Sequence, residues 1–327
     1  MKALVTGGTG FLGRYIVEAL QSRGDSVRIF SRTHAQTPRA ESLIGDLRDA
    51  GAVARAVDGV DCVFHSAAYV GPMWGDRRQY LSINVDGTRN VIDACRRHGV
   101  RKLVLTSSSS VVFHMTDEAG IDEDQPYPRR YFSPYAETKA MAERLVLASN
   151  GPELMTCALR PHFIWGPRDK HLIPSIIGRA RRGQLVQVGG GENLIDITYV
   201  ENAAQAHVLA ADALGPGSMA CGRAYFVSDG EPVRLWQWIN ELLLGVGAPP
   251  VKRRIPYGMA YAMGLASEVV YTLLPWLGEP RLTRYLAGLM ATSQHFKLER
   301  AERDLNYRPV VDRAEAMRRA IDWFRTH

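Results

Sequence analysis

Lys2-Ala3-Leu4-Val5-Thr6-Gly7-Gly8-Thr9-Gly10-Phe11-Leu12-Gly13 opens the chain with a short apolar run and then glycines at every third position. The run Lys2 to Thr6 reads as a buried strand, and residues 11–23 carry the apolar spacing of an amphipathic helix closed by Gly24. Between the two, Gly7 permits a tight turn, Gly10 lets the backbone approach a pyrophosphate, and Gly13 lets the helix pack closely on the strand. A helix starting at Phe11 offers unpaired N–H groups and the positive end of its dipole to phosphates. Glycine spacing alone says little. Its position between a strand and a helix makes Gly7, Gly10, Phe11, Leu12 and Gly13 candidate contacts for a dinucleotide.

Beyond this loop the N-terminal half keeps alternating. Strand patterns at 26–30, 61–65, 101–107 and 154–160 are separated by helical patterns at 50–57, 77–97 and 134–149. The alternation predicts an α/β fold: a doubly wound parallel sheet of the Rossmann type, with helices on both faces and a smaller C-terminal substrate-binding lobe. The rhythm breaks after Pro161, at Pro167, Pro174, Gly189-Gly190-Gly191, Pro216, Pro232 and Pro249-Pro250. Residues 1–165 are therefore expected to form the dinucleotide-binding domain, with sheet-completing returns near 193–230. Residues 166–327 are expected to form mainly the substrate lobe.

The 327 residues are 46% hydrophobic, enough for a large core. The net charge of +6 comes from 40 basic and 34 acidic residues mixed along the chain. The short pairs Arg181-Arg182 and Arg253-Arg254 do not make a nucleic-acid track, although a mild positive field suits an anionic cofactor or substrate. Cys62, Cys95, Cys157 and Cys221 form no CxxC pair, which points to free thiols in a reducing cytoplasm. The nine histidines lack metal-ligand spacing, so no metal is expected. No secretory signal is legible. The apolar stretch 257–277 has the length of a membrane span but carries Ser267, Glu268 and Pro275. It reads as an apolar helix pair lining a substrate cavity, with peripheral contact with a membrane as the alternative.

The second strand ends in Ile29-Phe30-Ser31-Arg32. An acid there would bind the ribose 2′-hydroxyl of NAD(H). Ser31 removes that repulsion and the Arg32 guanidinium matches a 2′-phosphate, so NADP(H) is expected, with NAD(H) the alternative and Arg14 within reach to assist. Asp46 and Leu47 are candidates for the adenine edge; Asp46 could instead cap the helix near Ala50.

Tyr135 and Lys139 form Tyr-x-x-x-Lys, which places both on one helix face. A free tyrosine has a pKa of about 10, and a cation beside it favours the phenolate. Upstream, Lys102 to Thr106 reads as a strand ending in Ser107-Ser108-Ser109-Ser110, where a hydroxyl could orient a substrate oxygen.

The glycine loop, Thr106-Ser107-Ser108 and Tyr135-x-x-x-Lys139 resemble the extended short-chain dehydrogenase/reductase family along nearly the whole chain. The resemblance implies Ser108, Tyr135 and Lys139 as the catalytic set, with Tyr135 the proton donor or acceptor. It places Ala67 and Ala68 at a strand end bordering the cofactor and Pro161 in the stretch that frames the nicotinamide. It also implies a homodimer paired through the helices at 77–97 and 134–149. Ser109-Ser110 stands where sugar dehydratases carry an acidic pair, and Val112-Phe113 where sugar epimerases usually read Tyr-Gly. Arg160-Pro161-His162-Phe163-Ile164-Trp165-Gly166-Pro167, the segment 193–202 and Leu305-Asn306-Tyr307-Arg308-Pro309 are similar to the 3β-hydroxysteroid dehydrogenase branch. Within it, two groups look nearest: reductases of 2-alkyl-3-oxoalkanoates and sterol-4α-carboxylate 3-dehydrogenases. Both imply a bulky apolar substrate carrying a carboxylate. Arg168, Lys170 and His171 are the cations that could meet that carboxylate, or be merely solvated. Trp165, Trp236 and Trp276 could wall the apolar tail, or simply pack the core. Ser31-Arg32 tips the expectation toward NADPH-dependent reduction of a β-keto acid, ahead of sterol oxidation. A nucleotide-sugar epimerase or a non-catalytic NADP(H) sensor stands further behind.

Overall fold

The computed structural model describes residues 1–71, 76–274, 276, 278, 280 and 282–327. Seven strands make the main sheet: β1 (Lys2–Thr6), β2 (Ser26–Ser31), β3 (Ala40–Ile44), β4 (Cys62–His65), β5 (Lys102–Thr106), β6 (Met155–Pro161) and β7 (Arg223–Val227). Their order is β7-β6-β5-β4-β1-β2-β3, and every neighbouring pair is parallel. The central strands read as continuous apolar runs because they are buried on both faces.

The helices used below are α1 (Phe11–Ser22), α2 (Ala50–Val57), α3 (Gly87–Arg97), α4 (Pro134–Ala148), α5 (Leu172–Arg181), α6 (Val200–Ala213), α7 (Leu235–Gly245), α8 (Tyr257–Leu273), α9 (Arg284–Ala291) and α10 (Arg313–Thr326). The apolar side chains of α1 and α6 share a core with one sheet face, and those of α2 and α3 with the other. Strand order reverses at β1, so the carboxyl ends of β1 and β4 border a topological switch point, where ligands of such sheets bind.

One strand of this sheet, β3, escaped the sequence pattern. β3 is short and half-exposed, and β7 lies far along the chain, within the region expected to return to the sheet. The helical pattern at 77–97 is broken by a π-helical segment, Leu81–Asp86, which carries Asn84 inward. Asn84 is buried and bonds Tyr69 N at 2.6 Å and Thr138 Oγ1 at 3.1 Å, holding the segment after β4 against α4.

A separate apolar cluster gathers residues of α5, α7 and α10 around Trp165 and Trp238, whose rings meet edge to face at 5.0 Å. Trp165 and Trp236 are buried in it, so they pack the core. Trp236 Nε1 donates to the Met290 carbonyl at 3.2 Å. A small sheet joins Val233–Arg234, Leu194–Ile195, Gln294–Phe296 and Glu118–Ile121, tying the segment after β5 to the C-terminal part of the chain.

The apolar stretch 257–277 departs from its expected role as a cavity lining. It forms α8, which lays Ala260, Gly264 and Glu268 against α9 and turns Met259, Met263, Val270 and Leu273 outward. Pro275 and Leu277 lie outside the described residues, and Trp276 is exposed. Among the described residues no helix is long and apolar enough to cross a membrane. The four cysteines are free; Cys62, Cys95 and Cys157 are buried, and burial pushes their thiols up.

Candidate active site

The glycine loop closes over the end of β1. Gly7 N donates to the Phe30 carbonyl at 2.9 Å, and Gly10 N to the Gly7 carbonyl at 2.8 Å. Gly7 has φ +70°, and a Cβ there would stand 2.8 Å from the Ala67 backbone. At Gly13 a Cβ would come within 2.2 Å of the Gly7 carbonyl oxygen, so only glycine lets α1 approach the loop. Gly10 is different: it is exposed, and a Cβ there would meet only the Gly7 oxygen, at 3.1 Å. Its outer side is open to a ligand. The first turn of α1, with half-buried Phe11 and buried Leu12, carries no acid and no side-chain cap. Its N–H groups and dipole fit the phosphates of a dinucleotide.

The ends of β1 and β4 are stitched together beneath the loop. Thr6 Oγ1 bonds His65 Nδ1 at 2.8 Å and accepts from Ala67 N at 3.1 Å, while His65 Nε2 meets Thr88 Oγ1 at 3.0 Å. Burial, with the Lys139 charge adding to it, pushes His65 down to about 3, so this imidazole is neutral. Ala67 and Ala68 stay half-buried at the crevice, and Pro161, at the end of β6, is buried.

The expected catalytic residues come from two neighbouring elements. Ser108 follows β5 and caps the short 3-10 turn Ser109–Val112; its Oγ accepts from Ser110 N at 3.2 Å and Ser110 Oγ at 2.9 Å. Tyr135 lies in the first turn of α4, where Pro134 starts the helix. Burial raises the Tyr135 phenol, and a hydrogen bond with the Ser108 side chain acts against that rise. One turn on, Lys139 is buried and donates to the Thr106 carbonyl at the end of β5. Burial takes its ammonium down to about 8, opposed by Glu143. A second buried imidazole, His207 of α6, bonds Thr106 Oγ1 at 2.8 Å and is held down to about 4 by burial.

Glu143 and Arg160 carry a role the sequence did not reveal. Glu143, one turn beyond Lys139, is fully buried and pairs with Arg160 of β6 at 2.7 Å. Tyr127 Oη adds a hydrogen bond of 2.6 Å to the same carboxylate. This network pins α4 to the sheet. Its acidic partner could have been sought at i+4 from Lys139, but nothing in the sequence says which arginine meets it.

At the adenosine end, Ser31 is buried and its hydroxyl donates to the Thr33 carbonyl at 2.5 Å. Arg32 is exposed, and its charge helps to hold Asp46 down. Arg48 is the main cause: it pairs with Asp46 at 2.7 Å and brings the carboxyl to about 2. The capping role weighed for Asp46 belongs to Asp49, whose side chain accepts from Ala52 N. Leu47 is buried; its carbonyl accepts from Asn90 at 2.8 Å.

On the substrate side, Arg168 is not a free cation. It pairs with Glu18 of α1 at 2.5 Å and covers the Tyr15 ring at 5.3 Å. Lys170 and His171 are exposed, and between them and Arg168 the buried Asp169 caps α5 by accepting from Ile173 N at 2.8 Å. A residue that the sequence did not single out sits closer to the chemistry. Tyr285 of α9 packs edge to face on Phe113 at 5.9 Å, and both Ser110 and Tyr135 act on its phenol. Glu118, whose carboxyl burial raises to about 7, adds a smaller electrostatic influence on it.

Comparison with known proteins concerns the chain as a whole. The 3-beta hydroxysteroid dehydrogenase/isomerase family matches residues 4–256. The chain is 47% identical over 325 residues to a 2-alkyl-3-oxoalkanoate reductase of Stenotrophomonas maltophilia, covering 98% of each. It is 38% identical over 329 residues to the decarboxylating sterol-4-alpha-carboxylate 3-dehydrogenase of Mus musculus, covering 99% of this chain and 91% of that protein. Among solved structures, MoeE5 in complex with UDP-glucose and NAD superposes with a TM-score of 0.77 at 27% identity, covering 100% and 99% of the two chains. The gox2253 structure gives 0.81 at 28%, covering 99% and 98%. The chain therefore belongs to the 3-beta hydroxysteroid dehydrogenase/isomerase family of oxidoreductases.

Proposed function

We propose that this chain is an NADPH-dependent reductase that converts the ketone of a 2-alkyl-3-oxoalkanoate to a secondary alcohol. The observation that carries the reaction type is Ser108, just after β5, within hydrogen-bonding reach of the half-buried Tyr135, with buried Lys139 one turn on in α4. The substrate class rests on similarity to a 2-alkyl-3-oxoalkanoate reductase along the whole chain. The choice of NADPH rests on exposed Arg32 at the end of β2, where no acid stands.

The dinucleotide, held by the glycine loop and the start of α1, supplies the hydride when bound. The Ser108 hydroxyl donates to the ketone oxygen and orients it. Tyr135 passes its phenolic proton to that oxygen as negative charge develops there. Lys139, mostly charged at neutral pH with its pKa near 8, stabilises the phenolate left behind. Ser108, Tyr135 and Lys139 are thus the catalytic set. Residues 166–327 would supply most of the substrate-binding lobe, and the outer sides of residues 77–97 and α4 would pair two copies.

The direct test follows absorbance of the reduced cofactor with NADPH and NADH, offering a 2-alkyl-3-keto acid and a 3-ketosteroid in parallel. Turnover of the keto acid with NADPH is the expected result. Preference for the steroid and NADH moves the protein to the sterol-4α-carboxylate dehydrogenase reading. Arg32→Glu should weaken NADPH selectively; an unchanged NADPH-to-NADH ratio removes Arg32 from the site.

A further inference from the structure

The serine run after β5 divides its hydrogen bonds. Ser107 continues the strand pairing, its N–H donating to the Leu159 carbonyl of β6 at 2.6 Å. Ser109 Oγ meets the buried His162 Nδ1 at 2.6 Å. Ser110 turns back on Ser108, and its N–H and hydroxyl lie 3.2 and 2.9 Å from Ser108 Oγ. The 3-10 turn fixes this return, with Val111 N donating to the Ser108 carbonyl at 3.2 Å. A serine hydroxyl has one proton and two lone pairs. With both lone pairs of Ser108 engaged by Ser110, its proton is left for a third group.

Two hydroxyls in contact share one proton, and what lies beyond Ser110 decides which serine gives it. Tyr285 lies there. Its phenol is within hydrogen-bonding reach of the Ser110 side chain, and close enough to Tyr135 for the two phenols to resist ionising together. The ring is buried and packs edge to face on Phe113 at 5.9 Å. Gly288, one turn on, lets α9 press on the same segment, since a Cβ there would stand 2.7 Å from Met115. Burial keeps the Tyr285 phenol protonated. A phenol is more acidic than an aliphatic hydroxyl, so it gives a hydrogen bond to serine rather than taking one. Ser110 then accepts from Tyr285 and spends its own proton on Ser108.

We infer that Tyr285 is a positioning residue for ketone reduction: its phenol donates to Ser110, Ser110 donates to Ser108, and the Ser108 proton is thereby aimed at the ketone oxygen. The inference rests on the function proposed above, in which Ser108 orients that oxygen. No proton is transferred along the chain; only the direction of each hydrogen bond is set. Reversing one link would turn the Ser108 proton onto Ser110 and leave the ketone oxygen facing lone pairs. Negative charge grows on that oxygen during hydride transfer, so a donor already aimed at it contributes more in the transition state than in the bound ketone. Loss of Tyr285's hydroxyl therefore falls on kcat rather than on KM.

The test measures kcat and KM of the full chain, with its preferred reduced nicotinamide, for whichever of a 2-alkyl-3-keto acid and a 3-ketosteroid the wild type reduces. Tyr285→Phe, Ser110→Ala, the two combined, and Ser108→Ala are compared. Tyr285→Phe keeps the ring on Phe113, so its melting temperature and cofactor affinity should match the wild type. Its kcat should fall about 10-fold for the loss of one directed hydrogen bond, with KM unchanged within about 2-fold. The double variant should be no slower than Ser110→Ala alone, because Tyr285 acts only through Ser110. Wild-type kcat in Tyr285→Phe, with Ser108→Ala slowed at least ~100-fold, overturns the inference and leaves the catalytic reading standing. Losses that multiply in the double variant, or that fall on KM alone, also overturn it by making Tyr285 a separate wall of the substrate pocket. Near-wild-type turnover by Ser108→Ala, or a wild type that reduces neither ketone, sinks the catalytic reading and this inference with it.

Discussion

Helices α4 and α8 each place a carboxylate in the interior and pair it with an arginine, yet they present opposite faces to the rest of the molecule. On α4 the buried side holds the chemistry: Lys139 and Glu143 face the sheet, with Tyr135 at the site one turn earlier. On α8 the buried side is a contact surface of Ala260, Gly264 and Glu268, and the outer side is apolar. The pairs differ in depth. Arg160 and Glu143 are 3% and 0% exposed, against 22% and 6% for Arg284 and Glu268. Burial on α4 shifts a proton affinity, as the lowered Lys139 records. On α8 it only fixes one helix on another. The same device, a buried acid, therefore supports a reaction in one place and orients a surface in the other.

Changing each helix's polar groups should separate these roles. Tyr135→Phe is expected to lower turnover by about 10³-fold while NADPH binding survives, read by initial rates and by fluorescence titration of the cofactor. Rates near wild type would take the proton transfer away from α4. Glu143→Ala should cost about 3–5 kcal/mol of stability in denaturant titration, since Arg160 would be left buried with no acid beside it. Glu268→Ala should cost less, about 1–2 kcal/mol, because Arg284 can turn toward water. Equal losses at the two positions would erase the difference in depth on which the comparison stands.

How much of this could be read beforehand also divides between the two helices. The glycine loop and the α4 motif were legible because their patterns are local: Gly7, Gly10 and Gly13 sit within seven residues, and Tyr135 and Lys139 are four apart. The partners of that site were not. Arg160 meets Glu143 from strand β6, and Tyr285 reaches Ser110 from a helix well over a hundred residues later. β7 returns to the sheet beside β6 over a shorter span, Arg223 standing opposite Cys157. For α8, composition gave an apolar helix, read as facing inward to line a substrate cavity. The structure reverses this, because Arg284 draws Glu268 inward and the apolar residues are left outside. Periodicity reports that a helix has two faces; only the packing partner decides which one is covered.

A smaller effect concerns the cation of α4. Lys139 has its ammonium lowered to about 8 from an ordinary 10.5, so the unfolded chain holds that proton more tightly than the fold does. Stability should therefore rise with pH once the folded lysine begins to lose its proton, by at most about 1.4 kcal/mol per pH unit. The penalty for burying the charge is fully present below pH 8. The buried thiols Cys62, Cys95 and Cys157 act in the opposite direction above pH 9, where the unfolded chain releases their protons first. The window for Lys139 is thus pH 8 to 9. Denaturation of cofactor-free wild type and Lys139→Met across that window should show the wild type gaining stability relative to the mutant as pH rises, since both carry the same thiols. Parallel profiles would mean that burial does not depress this lysine.

The smallest effect should come from the outer face of α8. Leu273→Asp places a charge where the side chain already meets water, at 70% exposure, so stability should change by no more than about 0.5 kcal/mol. The cost depends on what lies over Leu273. Against water an aspartate is nearly neutral; against lipid or another protein it must shed its hydration and becomes expensive. Thermal denaturation in buffer checks this, and an unchanged melting temperature fits a face that is free in solution. A large loss in buffer alone would mean that Leu273 is already packed against something, and α8 would then resemble α4 in hiding the side that matters.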